Sequence, residues 1–134
     1  MTNSRRKGKD GELELARILR DYGYDARRGQ QYSGANGDAD VVGLPGIHIE
    51  VKRYEVMQPG DLLKADRQAR RDADSSELPV VFYREDRKKW NVHLSVESLA
   101  TIVSIMEDDI DLDMRYVTLT LDDFMQLYEG ARKD

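Results

Sequence analysis

At 134 residues the chain has the length of one domain, able to bury roughly two-thirds of the surface its unfolded form exposes, and 1–134 is expected to fold as a single unit. Apolar residues make up 40% and charged residues 35%, the balance of a globular protein with a crowded polar surface rather than of a disordered chain. There is no cysteine, which excludes disulfides, thiolate metal sites and thiol catalysis.

Charge is unevenly spread. The net charge of -5 argues at first against a nucleic-acid partner. From Met1 to Trp90, however, 18 Lys and Arg face 16 Asp and Glu, whereas from Asn91 to Asp134 the numbers are 3 and 10. If some acids of the first part hold metal, the surface left there is more basic than the count, so DNA is not excluded. Met1 to Lys9 is basic and polar with no apolar run behind it. Neither a signal peptide nor a membrane span is expected, and a cytoplasmic location fits.

In chain order, Asp10 is placed to cap a first helix running to about Asp21, with Leu15, Ala16, Leu19 and Tyr22 at helical spacing and Gly23 as its stop. Tyr24 to Arg28 reads as a strand, and Gly29 to Gly37, with three glycines, as a loop. Asp38 to Val42 and Ile47 to Arg53 read as two strands joined by the turn Gly43-Leu44-Pro45-Gly46. A second helix spans about Gly60 to Asp74, with Leu62, Ala65, Ala69 and Ala73 inward. Pro79 opens a strand over Val80 to Arg84, and Lys88 to Leu94 follows as another. Ser95 caps a third helix to about Met106, Glu107 to Asp113 is an acidic loop, and Arg115 to Thr120 is a short strand. Thr120 then caps a last helix with Leu121, Phe124, Met125 and Tyr128 on one stripe. Helices interleaved with strands predict an α/β domain with a central mixed sheet flanked by helices. The C-terminal extension from about 107 to 134 has no assigned role.

The chemistry concentrates around Ile47-His48-Ile49-Glu50-Val51-Lys52. Strict alternation puts Ile47, Ile49 and Val51 on a core face and His48, Glu50 and Lys52 on the other, with Glu50 and Lys52 about 7 Å apart along it. By itself this pattern also describes a half-exposed strand with charges on its wet side. Asp40 changes the reading. The glycine turn can fold its strand onto Glu50's, setting two carboxylates side by side, where mutual repulsion favours a cation between them. Two oxygen ligands with room for water suit Mg²⁺. Asp38 shares the face of Asp40 and is either the rival ligand or a group that supports it; Asp40, which abuts the buried run and is held more rigidly, is preferred. On the first helix, about 100° per residue puts Glu12 with Leu15, Ala16 and Leu19, and Glu14 on the wet side near Arg17 and Asp21. Glu12 therefore either enters the site or merely complements the helix dipole in a first turn. A cation held by Asp40 and Glu50 would shield an anionic phosphodiester and acidify a water. Lys52 would orient that water or stabilise transition-state charge.

Lys7-Gly8-Lys9-Asp10-Gly11-Glu12, Gly37-Asp38-Ala39-Asp40-Val41-Val42 and Ile49-Glu50-Val51-Lys52 together resemble the Holliday junction resolvases of archaeal and phage type, small homodimeric nucleases of the PD-(D/E)XK superfamily. The resemblance takes in Gln68 and Leu78-Pro79-Val80-Val81-Phe82 and covers Arg5 to about Leu99. Ala39 stands where the superfamily name has proline. The resemblance implies a restriction-endonuclease-like fold, with Glu12, Asp40 and Glu50 as the acidic residues, Lys52 as the catalytic lysine and the Val51 carbonyl as a further metal ligand. It also implies that Gln68 approaches from the second helix and that Tyr32 and Ser33, in the glycine loop, contact the cleaved strand.

Arg5, Arg6, Lys7 and Lys9, ahead of the first helix, and Arg27, Arg28 and Arg53, flanking the site in sequence, would contact DNA phosphates and make binding salt-sensitive. For Arg5 to Lys9 a solvated tail is the competing reading. The expected activity is Mg²⁺-dependent hydrolysis of branched DNA, four-way junctions above all, by a homodimer in recombination or repair, with Mn²⁺ able to substitute. The alternatives are a nuclease of the same fold acting on linear, nicked or flap DNA, and a non-catalytic DNA-binding module.

Overall fold

The computed structural model describes residues 3–29, 39–104 and 116–132. Helix α1 (Asn3–Asp21) is longer than the sequence suggests. Asp10 does not cap it. Arg5, Arg6, Lys7 and Lys9 are good helix formers, and the Lys7 ammonium is held by the Asp86 carboxylate at 2.7 Å, so the basic segment forms two extra helical turns instead of a tail. At the other end Gly23, with φ of 100°, takes the left-handed position of a Schellman stop. Its N–H donates to Arg20 O and that of Tyr24 to Leu19 O.

The elements that follow are β1 (Arg27–Arg28), β2 (Val41–Val42), β3 (Ile47–Tyr54), α2 (Asp61–Asp72), β4 (Leu78–Glu85), β5 (Asn91–Ser95), α3 (Val96–Ser104), β6 (Tyr116–Thr120) and α4 (Leu121–Arg132). The first expected strand shrinks to Arg27 and Arg28. The glycine loop beyond Gly29, with Tyr32 and Ser33, falls outside the described residues, as do Asp38 and the acidic stretch Glu107 to Asp113. Both hydroxyl caps form: Ser95 Oγ accepts the Ser98 N–H at 3.0 Å, and Thr120 Oγ1 accepts that of Asp123 at 3.1 Å.

The six strands lie in sequence order in one sheet. Every pairing is antiparallel except β3 with β4, which α2 joins as a crossover. The fold is the expected α/β arrangement, a mixed sheet flanked by helices. Leu15 and Leu19 of α1, with Phe124 and Tyr128 of α4, pack on one face against Ile49, Phe82 and Val92. The C-terminal elements thus belong to the same core. The opposite face carries α2, whose Ala65 and Ala69 rest on Val81 and Tyr83. A crossover helix must lie over the parallel pair it connects, so β3 is covered on both sides. His48 and Glu50, expected on a half-exposed face, are each only 3% exposed. Among the described residues no helix is long and apolar enough to cross a membrane.

Candidate active site

Strand β2 pairs with β3 through a single register point, Val41 opposite Ile49, extended by the Asp40 N–H donating to Ile49 O at 3.1 Å. Asp40 and Glu50 therefore stand across from each other at the place where β2 begins. Beyond it, β3 from Val51 onward has no strand neighbour on that side among the described residues. Among the described residues this stretch of sheet edge is unpaired, and it is called the notch below. Asp40 guards its entrance by accepting the Val51 N–H on Oδ2 at 2.9 Å. In an antiparallel ladder the N–H and C=O of one residue point the same way, so the Val51 carbonyl is directed to the side that Asp40 occupies.

The electrostatics of the pair are unusual. Burial and the neighbouring Asp40 carboxylate, to which Glu50 is hydrogen-bonded, push Glu50 up from 4.5 to about 8, against the opposing pull of Lys52. A buried carboxyl group gives up its proton less readily when a half-buried carboxylate lies against it. Lys52 lies on the same face one pleat on. Its Nζ is 3.6 Å from Glu50 Oε2 and donates to Gln68 Oε1, on α2, at 3.1 Å. Lys52 is about one-third exposed, so its remaining protons can reach something in the notch.

Glu12 reaches the same notch from α1, 8% exposed. It lies well inside the helix, not in a first turn, so the dipole reading falls away. Burial raises its pKa first and Asp40 second, while Arg28 and Lys52 act in the opposite sense. Its direct partner is the Arg28 guanidinium at 3.4 Å. Gly11 makes this approach possible: a Cβ there would come within 2.5 Å of Arg53 Cγ, so only a residue without a side chain lets α1 lie this close to β3.

Glu14 is not on a wet face. It accepts from the Trp90 indole N–H at 2.7 Å and from the Arg84 guanidinium, because the ends of β4 and β5 rise to meet that side of α1. Arg53 points the same way, away from Lys52, donating to Asp86 at 3.1 Å with its side chain 12% exposed. Lys7 is bound to the same aspartate. Arg5, Arg6, Lys9 and Arg27 are exposed. The structure thus brings Asp40, Glu50, Lys52 and Gln68 into contact and sets Glu12 beside them, while Arg53 and Lys7 serve an ion network on the other face. His48 is buried, its Nδ1 3.7 Å from Glu77 and its Nε2 without a partner among the described residues. Sequence reasoning missed the pairing of Arg28 with Glu12. It joins a strand to a helix 16 residues away in the chain, and no periodicity reports such a contact.

Residues 3–131 match the model of a family described as "Phage putative PDDEXK endonuclease". The chain belongs to this family. It is thereby a nuclease of the PD-(D/E)XK superfamily, whose members generally use divalent metal ions, and the family implies DNA as the class of substrate. No curated protein matches it by sequence. The donor set of this PD-(D/E)XK chain fits such an ion: Asp40 beside the buried Glu50, whose ionisation burial and Asp40 oppose, offers a favourable place for positive charge. Among the described residues no three His, Cys, Asp or Glu side chains gather into a cluster, so Asp40 and Glu50 would be the side-chain ligands, with water completing the shell.

Proposed function

We propose that the protein is a structure-selective DNA endonuclease that hydrolyses phosphodiesters in branched DNA, four-way junctions in particular, with Mg²⁺ and as a homodimer. The observation that carries the catalytic part is the contact of half-buried Asp40 with buried Glu50 at the unpaired sheet edge, with Lys52 held beside it by Gln68. The junction as substrate is supported by the resemblance of residues 5–99 to the resolvases. The dimer is supported by the need for two symmetric cuts.

Asp40, Glu50 and the Val51 carbonyl would hold a divalent cation, which would supply the charge that shields the scissile phosphate and acidifies water. The chain's own groups do the rest. Asp40 is oriented by the Val51 N–H, which donates to its Oδ2. Lys52 has three donors; Gln68 takes one and Glu50 lies close to a second, leaving the third to orient the attacking water or a phosphate oxygen. In the reaction one P–O bond forms to the water oxygen and one ester P–O bond breaks. One water proton ends on the leaving oxygen, the other in solvent. Arg5, Arg6, Lys9 and Arg27, exposed on and near α1, are the backbone contacts we assign to DNA, joined by Tyr32 and Ser33; the ion-paired Lys7 and Arg53 would have to leave Asp86 to take part.

Side-by-side digestion of a four-way junction, a flap, a nicked duplex and a plain duplex, with Mg²⁺ and with Mn²⁺, tests the proposal. Preferential symmetric cutting of the junction is expected. Equal cutting of all four would reduce the protein to a general nuclease of this fold, and no cutting with either metal would make it a binding module.

A further inference from the structure

Helix α2 carries a charge pattern that its own stability does not ask for. At about 100° per residue, Lys64, Arg67 and Arg71 fall within an arc of about 60° on its outer side, over about 10 Å of helix axis. All of them are exposed. Gln68 lies at the border between this stripe and buried Ala65 and Ala69, and its Oε1 accepts from the Lys52 ammonium. The stripe therefore begins where the active site ends.

A helix face that serves only stability and solubility sets opposite charges three or four residues apart. Here Arg67 stands three residues after Lys64 and four before Arg71, so like charges meet at both spacings and repel. The acids of α2 give little relief. Asp61 accepts the Gln58 N–H, and buried Asp66 is taken by Arg70 at 2.7 Å. Asp72 lies 3.7 Å from Arg71, in a solvent-exposed pair of the kind that adds little. The side chains of Lys64 and Arg67 have no ionic or hydrogen-bonded partner among the described residues. On the other face of the sheet, by contrast, Lys7 and Arg53 are both held by Asp86. Crowded cations beside a phosphodiester site, in a chain of net charge -5, are complementary to a polyanion.

Resting on the nuclease reading above, we propose that Lys64, Arg67 and Arg71 form a phosphate-backbone track for the DNA that leaves the active site over α2. The start of α1, with Arg5, Arg6 and Lys9, belongs to the helix on the opposite face of the sheet. DNA that reaches both straddles the sheet edge, so its backbone is held on both sides of the scissile phosphate. The track touches phosphates alone. It adds affinity without reading sequence, and its contribution fades as salt rises.

The test is binding of a labelled four-way junction and a plain duplex in EDTA over a series of salt concentrations, with melting curves and with turnover at saturating DNA and Mg²⁺. The wild type is compared with Lys64→Gln/Arg67→Gln/Arg71→Gln and with Arg17→Gln/Lys89→Gln/Arg132→Gln, which removes the same charge from exposed positions elsewhere. Glutamine keeps the helix propensity of α2. The stripe variant is expected to bind at least ~10-fold more weakly near physiological salt, with a slope of log affinity against log salt shallower by about 2 to 3, near 0.9 for each lost contact. Its Tm should equal or exceed that of the wild type, because repulsion has been removed, and turnover at saturation should change less than about threefold. If the triple variant does not fold, Arg67→Gln alone should flatten the slope by about 0.9. An affinity and slope no different from those of the control variant would make the stripe a solvated face and overturn the proposal. So would a loss of turnover with affinity intact. A wild type that binds DNA but cuts none with Mg²⁺ or Mn²⁺ overturns the nuclease reading alone, and the binding comparison still decides the track; a wild type that binds no DNA overturns both.

Discussion

The Val51 backbone N–H donates to Asp40 Oδ2 at 2.9 Å, so one side chain both extends the β2–β3 ladder and faces Glu50 across the notch. Folding and chemistry can be separated at this position. Asp40→Asn keeps an oxygen for Val51 and should preserve stability while abolishing cleavage; Asp40→Ala leaves the N–H unpaired and should also cost about 1–3 kcal/mol. Cleavage assays paired with urea melts check this. Full activity in Asp40→Asn would remove Asp40 from the site.

Glu50 makes the metal-free protein sensitive to pH in a direction opposite to most carboxylates. Its folded-state value of about 8 lies above the ordinary 4.5, chiefly through burial and Asp40. Between those limits the folded state binds the proton more strongly than the unfolded one, so stability falls as pH rises from about 4.5 to about 8. Below that window the group is protonated in both states and costs nothing. In EDTA, the Tm of wild type relative to Glu50→Gln should drop by several degrees from pH 5 to pH 8, and a divalent cation should remove most of the drop. A constant Tm difference across that range would show that Glu50 ionises freely where it sits.

Gly11 should tolerate no side chain. Alanine is the better helix former by roughly 0.5–1 kcal/mol, yet its Cβ would press on Arg53 Cγ, close to the backbone where the chain cannot yield. The expected outcome of Gly11→Ala is a helix α1 displaced from β3, with Glu12 carried away from the notch and cleavage reduced at least tenfold. Gly8, which has open space around it, serves as the control: Gly8→Ala should melt no lower than wild type.

The Glu50–Lys52 stripe could be read from two-residue alternation, and Asp40 from the glycine turn that folds its strand back, because both depend on local geometry. The depth of the site could not. Alternation with charges on one side looks the same whether that side meets water or a crossover helix, and only the parallel pairing of β3 with β4 puts α2 over Glu50. The start of α1 was obscured for a different reason. Asp10 has the chemistry of a cap, and nothing nearby in sequence announces that Asp86, 79 residues after Lys7, will hold the earlier turns in place. Helical phase placed Glu12 on the stripe with Leu15 and Leu19, but the same phase sent Glu14 to solvent, since it takes no account of the far ends of β4 and β5.

Glu14 consequently makes a sharp prediction about stability. It accepts from Trp90 and Arg84 and lies 4.0 Å from Arg53, while the Nε atoms of both arginines are already buried without partners. Removing the carboxylate would leave two largely buried guanidinium groups and an indole N–H short of an acceptor. Glu14→Ala should destabilise the fold by about 1–3 kcal/mol, and Glu14→Gln by less, because its amide oxygen can still serve Trp90. Neither variant touches the notch directly, so cleavage measured well below the lowered Tm should stay within a few-fold of wild type. A loss of activity without loss of stability would instead tie Glu14 to the chemistry and reverse the assignment of the two α1 glutamates.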